Sequence, residues 1–272
     1  MKKQILFIIL ILMNILFLGC ASIKGKESKL FNGSNLEFIY RRSSNPTIIL
    51  ASGLDGHVEW WDKIVTDISK TNSVFAYNRP GIGKSDQTDK TRDAEQIVQE
   101  LRFYLNELKI TPPYVLVGHS SGGLYMQLFA RKYPTEVVGL VLVDSTHPLQ
   151  MKGAGDPKNW SWWTKLYMFL FLSKTGEAEL ASINKSGEQV LSYSTKEIKF
   201  PIRVLTATKP EIATNEYEQD LIDKKKDIVN LYPNSKQTFV KGGHVIPIEN
   251  PEAVVTAIRE ILIQARTCES HR

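Results

Sequence analysis

The sequence predicts an α/β fold with a mostly parallel, doubly wound sheet, and three observations support this prediction. Short apolar runs of strand length alternate with amphipathic stretches of helix length. The run 137–143 is unbroken and apolar, as is typical of a parallel strand covered on both faces. Glycine-bearing or polar loops follow several such runs, where sites gather in open α/β sheets. The 272 residues show no repeat or low-complexity tract, which favours one domain with an insertion.

The composition is that of a globular protein, with 42% hydrophobic residues and a formal net charge of +5. Basic residues are spread along the chain without interleaved aromatics, so we expect no nucleic-acid partner. The basic cluster 224–226 is flanked by acids and is interpreted as a solvated helix face. The two cysteines, Cys20 and Cys268, are too few for a metal cluster, and their extreme positions disfavour a disulfide. Composition therefore predicts no metal site.

The first 20 residues have the layout of a signal peptide, with two lysines followed by an apolar run from 5 to 18. This run is too short and wrongly flanked for a membrane span. Residues 16–20 resemble the bacterial lipobox, which implies acylation of Cys20 and anchorage of the exported protein at a membrane of the bacterial cell envelope. Phe17 departs from the usual leucine, so ordinary secretion or an uncleaved anchor remain alternatives. Residues 21–29 are expected to form an unstructured tether.

Apolar periodicity predicts the order of the elements. Strands are expected at 36–40, 47–51, 73–77, 114–117, 137–143, 201–207 and 237–240. Helices are expected at 60–69, 93–109, 124–133, 217–231 and 251–265. The alternation lapses from 148 to 200, where aromatic residues concentrate, and a helical cap inserted after the strand that ends at Asp144 is predicted there. The α/β core then comprises 30–147 and 201–266, and 267–272 form a polar tail.

The stretch 114–123 carries the strongest functional signal. An apolar run ends at a Gly-x-Ser-x-Gly pattern centred on Ser120, and a helical pattern follows directly. A sharp turn between strand and helix strains its central residue, and only small flanking residues permit it. Ser120 is therefore the candidate nucleophile. The amide of Ser121, at the helix N-terminus, is a candidate donor to a developing oxyanion.

Two further regions are expected near this serine. The loop 52–57 follows a strand and carries glycines, and the amide of Leu54 is assigned as the second oxyanion donor. His57 lies in the same loop and is a candidate for lining the substrate pocket; a backbone-bonded loop histidine is favoured over a direct role in catalysis. Trp160 and Trp163 belong to the aromatic part of the cap and are candidates for lining a substrate pocket, because a cap over a cleft supplies apolar surface.

The base and the acid come later in the chain. Gly242 and Gly243 place His244 just past the last strand, and it is the candidate general base. Asp144 ends the buried strand 137–143, from which a carboxylate can reach a histidine above the sheet. The alternative for Asp144 is a helix cap or a loop hydrogen bond. The order along the chain is serine, acid, histidine.

This order and four sequence segments resemble the α/β-hydrolase superfamily. The segments are Ser52-Gly53-Leu54, the loop 78–86, the stretch 118–123, and Gly243-His244 with Asn250-Pro251-Glu252. The resemblance covers about residues 45–266 and implies a serine hydrolase that uses no metal or organic cofactor. It implies a carboxylesterase or lipase-like activity on a small-molecule ester. A peptidase, a thioesterase or a cofactor-free haloperoxidase are alternatives on the same triad, and an inactive lipid-anchored binding protein is the alternative outside enzymes.

Two positions depart from the pattern of this superfamily. Ser52 stands where members usually carry histidine, which is tolerable because the donor there is a backbone amide. Pro210 stands at about the position where many members carry the acid, so the acid is either Glu211 or Asp144. Asp144 is favoured, since the stretch 140–148 looks like a subgroup that carries the acid and a His-Pro pair together.

Overall fold

A computed structural model of the chain describes residues 23–209, 213 and 215–269. Its centre is an eight-stranded sheet with the strand order β1-β2-β4-β3-β5-β6-β7-β8. The strands are β1 (Glu27–Phe31), β2 (Ser34–Arg41), β3 (Ser44–Ala51), β4 (Asn72–Tyr77), β5 (Tyr114–His119), β6 (Val137–Val143), β7 (Ile202–Ala207) and β8 (Ser235–Val240). The six strands from β3 to β8 run parallel, and β1 and β2 add antiparallel at one edge.

Helices cover both faces of the sheet, which explains why its central strands are apolar on both sides. The α-helices are α1 (Asp62–Ile68), α2 (Ala94–Glu107), α3 (Ser121–Lys132), α4 (Trp162–Phe171), α5 (Lys174–Ala181), α6 (Ile183–Ser192), α7 (Glu216–Asp227), α8 (Ile246–Glu249) and α9 (Pro251–Glu269). One buried cluster joins the sheet to α2, α3 and α6. A second cluster joins the opposite face to α1 and α9. The predicted α/β fold with a mostly parallel, doubly wound sheet is confirmed.

The parallel register brings distant residues to one edge of the sheet. His119 at the end of β5 pairs with Val143 at the end of β6, and Val143 pairs with Leu205 near the end of β7. The carboxyl end of β3 lies beside β5 on the other side, where Ala51 pairs with Gly118. The segments that follow these strands therefore meet above the same edge, and they include the loop 52–57, the Ser120 turn and Asp144. His244 follows β8, which pairs parallel with β7.

The chain between β6 and β7, residues 148–200, forms a helical insertion that contains α4, α5 and α6. Ile183 and Val190 of α6 are buried in the cluster that also contains α2 and α3. The last helix of the insertion is therefore part of the main core. By contrast, α4 exposes Trp162, Leu166, Leu170 and Phe171 to solvent.

The two ends of the described chain differ from expectation. β1 begins at Glu27, so residues 27–29 of the expected tether are part of a strand. Asn32 and Gly33, with φ of 50° and 84°, form a tight turn that joins β1 to β2, and the two strands pair antiparallel across it. α9 continues to Glu269, into the expected polar tail. Within 23–209 and 215–269, no helix combines the length and apolar character needed to cross a membrane.

Candidate active site

Ser120 lies in the turn between β5 and α3, with backbone angles φ 54° and ψ −125°. A positive φ is strained for any residue but glycine, and it persists only where the surroundings hold it. The amide of Ser120 donates to the carbonyl of Val143 over 3.1 Å, and its carbonyl accepts from the amide of Thr146 over 3.0 Å. Both partners belong to the end of β6 and the segment after it. The neighbouring strand therefore holds the strained turn.

Two glycines allow the turn to form. A Cβ atom at Gly118 would lie 2.5 Å from the carbonyl oxygen of Gly122, and a Cβ atom at Gly122 would lie 2.3 Å from the carbonyl oxygen of Ala51. Neither position has room for a side chain. The Gly-x-Ser-x-Gly pattern thus reflects close packing of β5, α3 and the end of β3.

The loop after β3 lies directly against Ser120. A Cβ atom at Gly53 would be 2.9 Å from the Cβ of Ser120 and 3.4 Å from its Oγ. Leu54 follows Gly53 in this loop. Ser121 is the first residue of α3, where the N–H groups have no partner within the helix. Leu54 thus follows a residue that contacts Ser120, and Ser121 follows Ser120 itself. The two amides that the sequence predicts as oxyanion donors are therefore both close to the hydroxyl of Ser120 in the chain.

His244 links the serine to the acid. Its Nε2 lies 3.0 Å from the Oγ of Ser120, and its Nδ1 lies 2.5 Å from Oδ2 of Asp144. The carboxylate can only accept, so we assign the proton to Nδ1, which leaves Nε2 to accept from the serine hydroxyl. The 3.0 Å distance is within the range for proton transfer, and the shorter contact with Asp144 orients the ring. The structure thus brings together the three residues that the sequence nominated.

The carboxylate of Asp144 is fully buried and is bound on both oxygens. Oδ1 accepts from the amide of Ala207 over 3.0 Å, and Oδ2 accepts from Nζ of Lys225 over 2.6 Å as well as from His244. Burial raises the pKa of Asp144, but the bonds and charges of His244 and Lys225 outweigh it and hold this pKa well below its usual range. Asp144 is therefore ionised at neutral pH.

Lys225 corrects the interpretation of the basic cluster 224–226 as a solvated helix face. It lies in α7 with only 9% of its surface exposed, and it points into the sheet edge. The side chain of Lys224 is 15% exposed and forms an ion pair with Asp220 one turn earlier, so it is only partly solvated. The correction arises because Asp144 supplies a buried counter-charge 81 positions away, which no local pattern reveals.

His119, inside the serine motif, is a second residue whose role the sequence did not show. Its side chain is buried, and its Nε2 lies 2.9 Å from the carbonyl oxygen of His244. Burial and the neighbouring His244 lower the pKa of His119 to about 3, so the ring is neutral and its Nε2–H donates. The bond ties the loop that carries His244 to the end of β5.

The remaining predicted residues lie at different distances from this centre. The carbonyl of His57 accepts from Oγ of Ser52, and its ring does not cap the following 3₁₀ turn. Trp160 lines a cavity of about 310 Å³ within the helical insertion. The lining of this cavity does not include Ser120, Asp144 or His244. The side chain of Trp163 is outside the part of the chain that the structure describes, and so are Glu211 and Cys20. Among the described residues, no group of three or more His, Cys, Asp or Glu could hold a metal ion.

Comparisons with known proteins agree with this fold. The sequence model of a family described as the alpha/beta hydrolase fold matches residues 46–190. The chain is 38% identical over 102 residues to the uncharacterized protein YqjL of Bacillus subtilis (strain 168), a match that covers 38% of this chain and only 40% of that protein. A thermophilic esterase from Thermogutta terrifontis has a similar structure, with a TM-score of 0.63 and 20% identity over 89% of this chain and 99% of the esterase. A membrane phospholipase A described as a bacterial virulence factor gives 0.61 and 19% over 98% and 99% of the two chains.

Proposed function

The chain belongs to the alpha/beta hydrolase fold family, and from this premise we propose that it is a serine hydrolase that cleaves carboxylic esters. One observation carries the proposal. His244 lies between the hydroxyl of Ser120 and the carboxylate of Asp144, at 3.0 Å and 2.5 Å, with each ring nitrogen facing one of them. This is the arrangement in which a weak nucleophile gains a general base, and the base is held in one tautomer.

In the first half of the reaction, Nε2 of His244 accepts the hydroxyl proton as Oγ of Ser120 bonds to the acyl carbon. The carbonyl oxygen of the ester becomes an oxyanion, and the amides of Leu54 and Ser121 donate to it. A single donor of this kind contributes about 10²- to 10³-fold to turnover. Asp144 stabilises the imidazolium, which then protonates the departing alcohol. The product of this half is an acyl-serine.

In the second half, His244 removes a proton from a water molecule that attacks the acyl-serine, and Ser120 leaves with that proton. The side chain of His244 is 41% exposed, whereas that of Asp144 is fully buried. Water therefore reaches the base without disturbing the acid. Every step uses only these side chains and the two backbone amides.

The ester class of the substrate rests on chemistry and on the neighbours taken together. An activated serine with two amide donors performs acyl transfer, and the proteins of similar structure include an esterase and a phospholipase A. A peptidase, a thioesterase, a haloperoxidase and a binding protein without activity are the alternatives that the test below must separate.

The test is labelling of the purified protein with a fluorophosphonate probe, followed by an assay with 4-nitrophenyl esters of increasing chain length. We expect labelling and hydrolysis in the wild type and neither in Ser120→Ala. Ser192→Ala, which changes an exposed hydroxyl at the end of α6, is the matched control and keeps both. A folded wild type that neither labels nor turns over any ester indicates a binding protein. Labelling that survives in Ser120→Ala excludes the assigned nucleophile.

We also propose that the protein is held at a membrane through a lipid on Cys20. The support is the lipobox-like sequence at 16–20 after an apolar run. Bacteria fed an alkyne fatty acid should incorporate it into the wild type and into Cys268→Ser, but not into Cys20→Ser. Equal incorporation in the two cysteine variants contradicts the assignment.

A further inference from the structure

Arg79 joins three separate parts of the molecule. It follows β4, and its guanidinium is 1% exposed. Nη1 donates to the carbonyl of Ser52 and Nη2 to the carbonyl of Gly53, each over 2.7 Å. Nε and Nη2 also bind the two carboxylate oxygens of Glu179 in α5, again over 2.7 Å each. The residue thus connects the loop beside Ser120 to the helical insertion.

The bond to Gly53 has a geometric consequence for the next amide. The carbonyl of Gly53 and the N–H of Leu54 belong to one planar trans peptide and point in opposite directions. When Arg79 holds the carbonyl on its own side, the N–H is fixed on the other side. Gly53 lies against Ser120, since a Cβ atom added at Gly53 would be 2.9 Å from the Cβ of Ser120.

We propose that Arg79 is a positioning residue that aims the Leu54 amide at the oxyanion, and that Glu179 holds Arg79 in place. The proposal rests on the proposed function and names the part of the helical insertion on which that function depends. The donor is then complete only when α5 is docked on the sheet domain. Arg79 donates four hydrogen bonds from its planar fork, whereas an ammonium has only three N–H groups and cannot bind both oxygens of Glu179 as well as the two carbonyls.

The charges around Arg79 are balanced within the same buried group. Glu179 is fully buried, and Arg92 and Glu100 form a second ion pair of 2.7 Å beside it. Arg92 also lies 3.8 Å from Glu179 but has no bond to the loop 52–54. Burial lowers the pKa of Arg79, but the charge of Glu179 outweighs this and raises it above its usual value, so the cation persists.

This neighbour provides a matched comparison of two buried arginines. Arg79→Lys and Arg92→Lys each weaken an ion pair of the same buried group, but only the first touches the carbonyls of the oxyanion loop. With a 4-nitrophenyl ester we expect Arg79→Lys to lower kcat about 10- to 100-fold with KM within threefold. Arg92→Lys should keep kcat within threefold of the wild type, even if its Tm falls as far as that of Arg79→Lys. Equal losses of kcat at equal Tm overturn the inference.

Glu179→Gln tests the link to the insertion. The amide keeps one acceptor for the guanidinium but removes the charge, so we expect a smaller fall in kcat than Arg79→Lys gives. As with Arg79→Lys, kcat should change more than KM. A change confined to KM would mean that α5 acts on substrate binding alone, and it overturns the coupling between α5 and the oxyanion loop.

A second measurement needs no substrate and separates failure of this inference from failure of the proposed function. The sequence contains three Gly-Leu pairs, at 53–54, 123–124 and 139–140. Labelling with carbonyl-¹³C glycine and ¹⁵N leucine therefore gives three NMR signals from the full-length protein. Arg79→Lys should shift the signal of the first pair and leave the other two, and Arg92→Lys should leave all three. An unmoved first signal in Arg79→Lys overturns the inference, whether or not the wild type cleaves esters.

Discussion

Ser120 and Asp144 lie at the ends of neighbouring strands, but the chain holds them in different ways. Ser120 is placed by backbone packing, since Gly118 and Gly122 let β5, α3 and the end of β3 approach closely and backbone bonds tie the turn to the end of β6. Asp144 is bound by groups from three distant segments, the amide of Ala207, the ammonium of Lys225 and the ring of His244. The nucleophile therefore depends on backbone fit, and the acid depends on charge balance between separate elements.

The difference determines what a substitution does at each end. At the serine turn, an added methyl group meets backbone atoms that cannot move independently, so the substitution lowers the free energy of unfolding. At the acid, a change of charge leaves the backbone in place and alters the protonation of the histidine.

The largest effect is expected from Asp144→Asn. The amide cannot hold the proton on Nδ1 of His244 as a carboxylate does, so the wrong tautomer faces Ser120. We expect kcat for a 4-nitrophenyl ester to fall about 10,000-fold. Fluorophosphonate labelling, followed over time, should slow in parallel, and a thermal melt should show a folded protein.

Asp227→Asn is the control for this change. Asp227 ends α7 and lies 3.2 Å from the ring of His147, outside the bonds of the site, so its loss should change kcat less than threefold. Turnover within tenfold of the wild type in Asp144→Asn would assign the acid elsewhere. The test would then be whether Glu211→Gln abolishes turnover.

At the nucleophile end, Gly122→Ala should act on stability first. The new Cβ would lie 2.3 Å and 2.4 Å from the carbonyl oxygens of Ala51 and Ser52, so β3 and α3 must separate. We expect the free energy of unfolding, measured by urea titration, to fall by about 3 kcal/mol. Gly153→Asn is the comparison. The φ of 65° at this position suits asparagine, and a Cβ atom there would have no heavy atom within 4 Å apart from its chain neighbours. Equal stability of Gly122→Ala and wild type would contradict the packing argument.

The smallest effect is expected from Lys225→Met, and it concerns pH dependence. The positive charge beside Asp144 opposes formation of the imidazolium, and its removal leaves the carboxylate to favour that cation. The acid limb of the kcat/KM profile should therefore move to higher pH, by about one unit. Lys226→Met, which removes an equal but exposed charge from the same helix, should leave the limb in place. A shift common to both variants would indicate only the net charge of the protein.

The parts of the fold that local pattern determines were predictable from the sequence. The run at 137–143 and the serine turn could be located because apolar periodicity and flanking glycines report local geometry. The order of serine, acid and histidine then placed their side chains at one sheet edge. The antiparallel hairpin of β1 and β2 was missed in part, although its Asn32-Gly33 turn was a usable signal.

The residues that the sequence did not reveal are those with distant partners. Lys225 belongs to a run of three lysines that resembles any solvated helix face, and Asp144 alone makes it different. Arg79 stands in a glycine-rich loop, where nothing nearby in the chain indicates that Glu179, 100 positions later, will bind it. Such pairs depend on how helices pack on the sheet, α7 for Lys225 and the insertion for Arg79, which one-dimensional spacing does not encode.

The buried ring of His119 has one more consequence. Because burial lowers the pKa of His119 to about 3, this ring carries no charge at any pH used to assay an esterase, and its bond to the carbonyl of His244 is the same throughout. Of the two neighbouring histidines, the buried and uncharged His119 thus holds in place the loop that carries the more exposed His244.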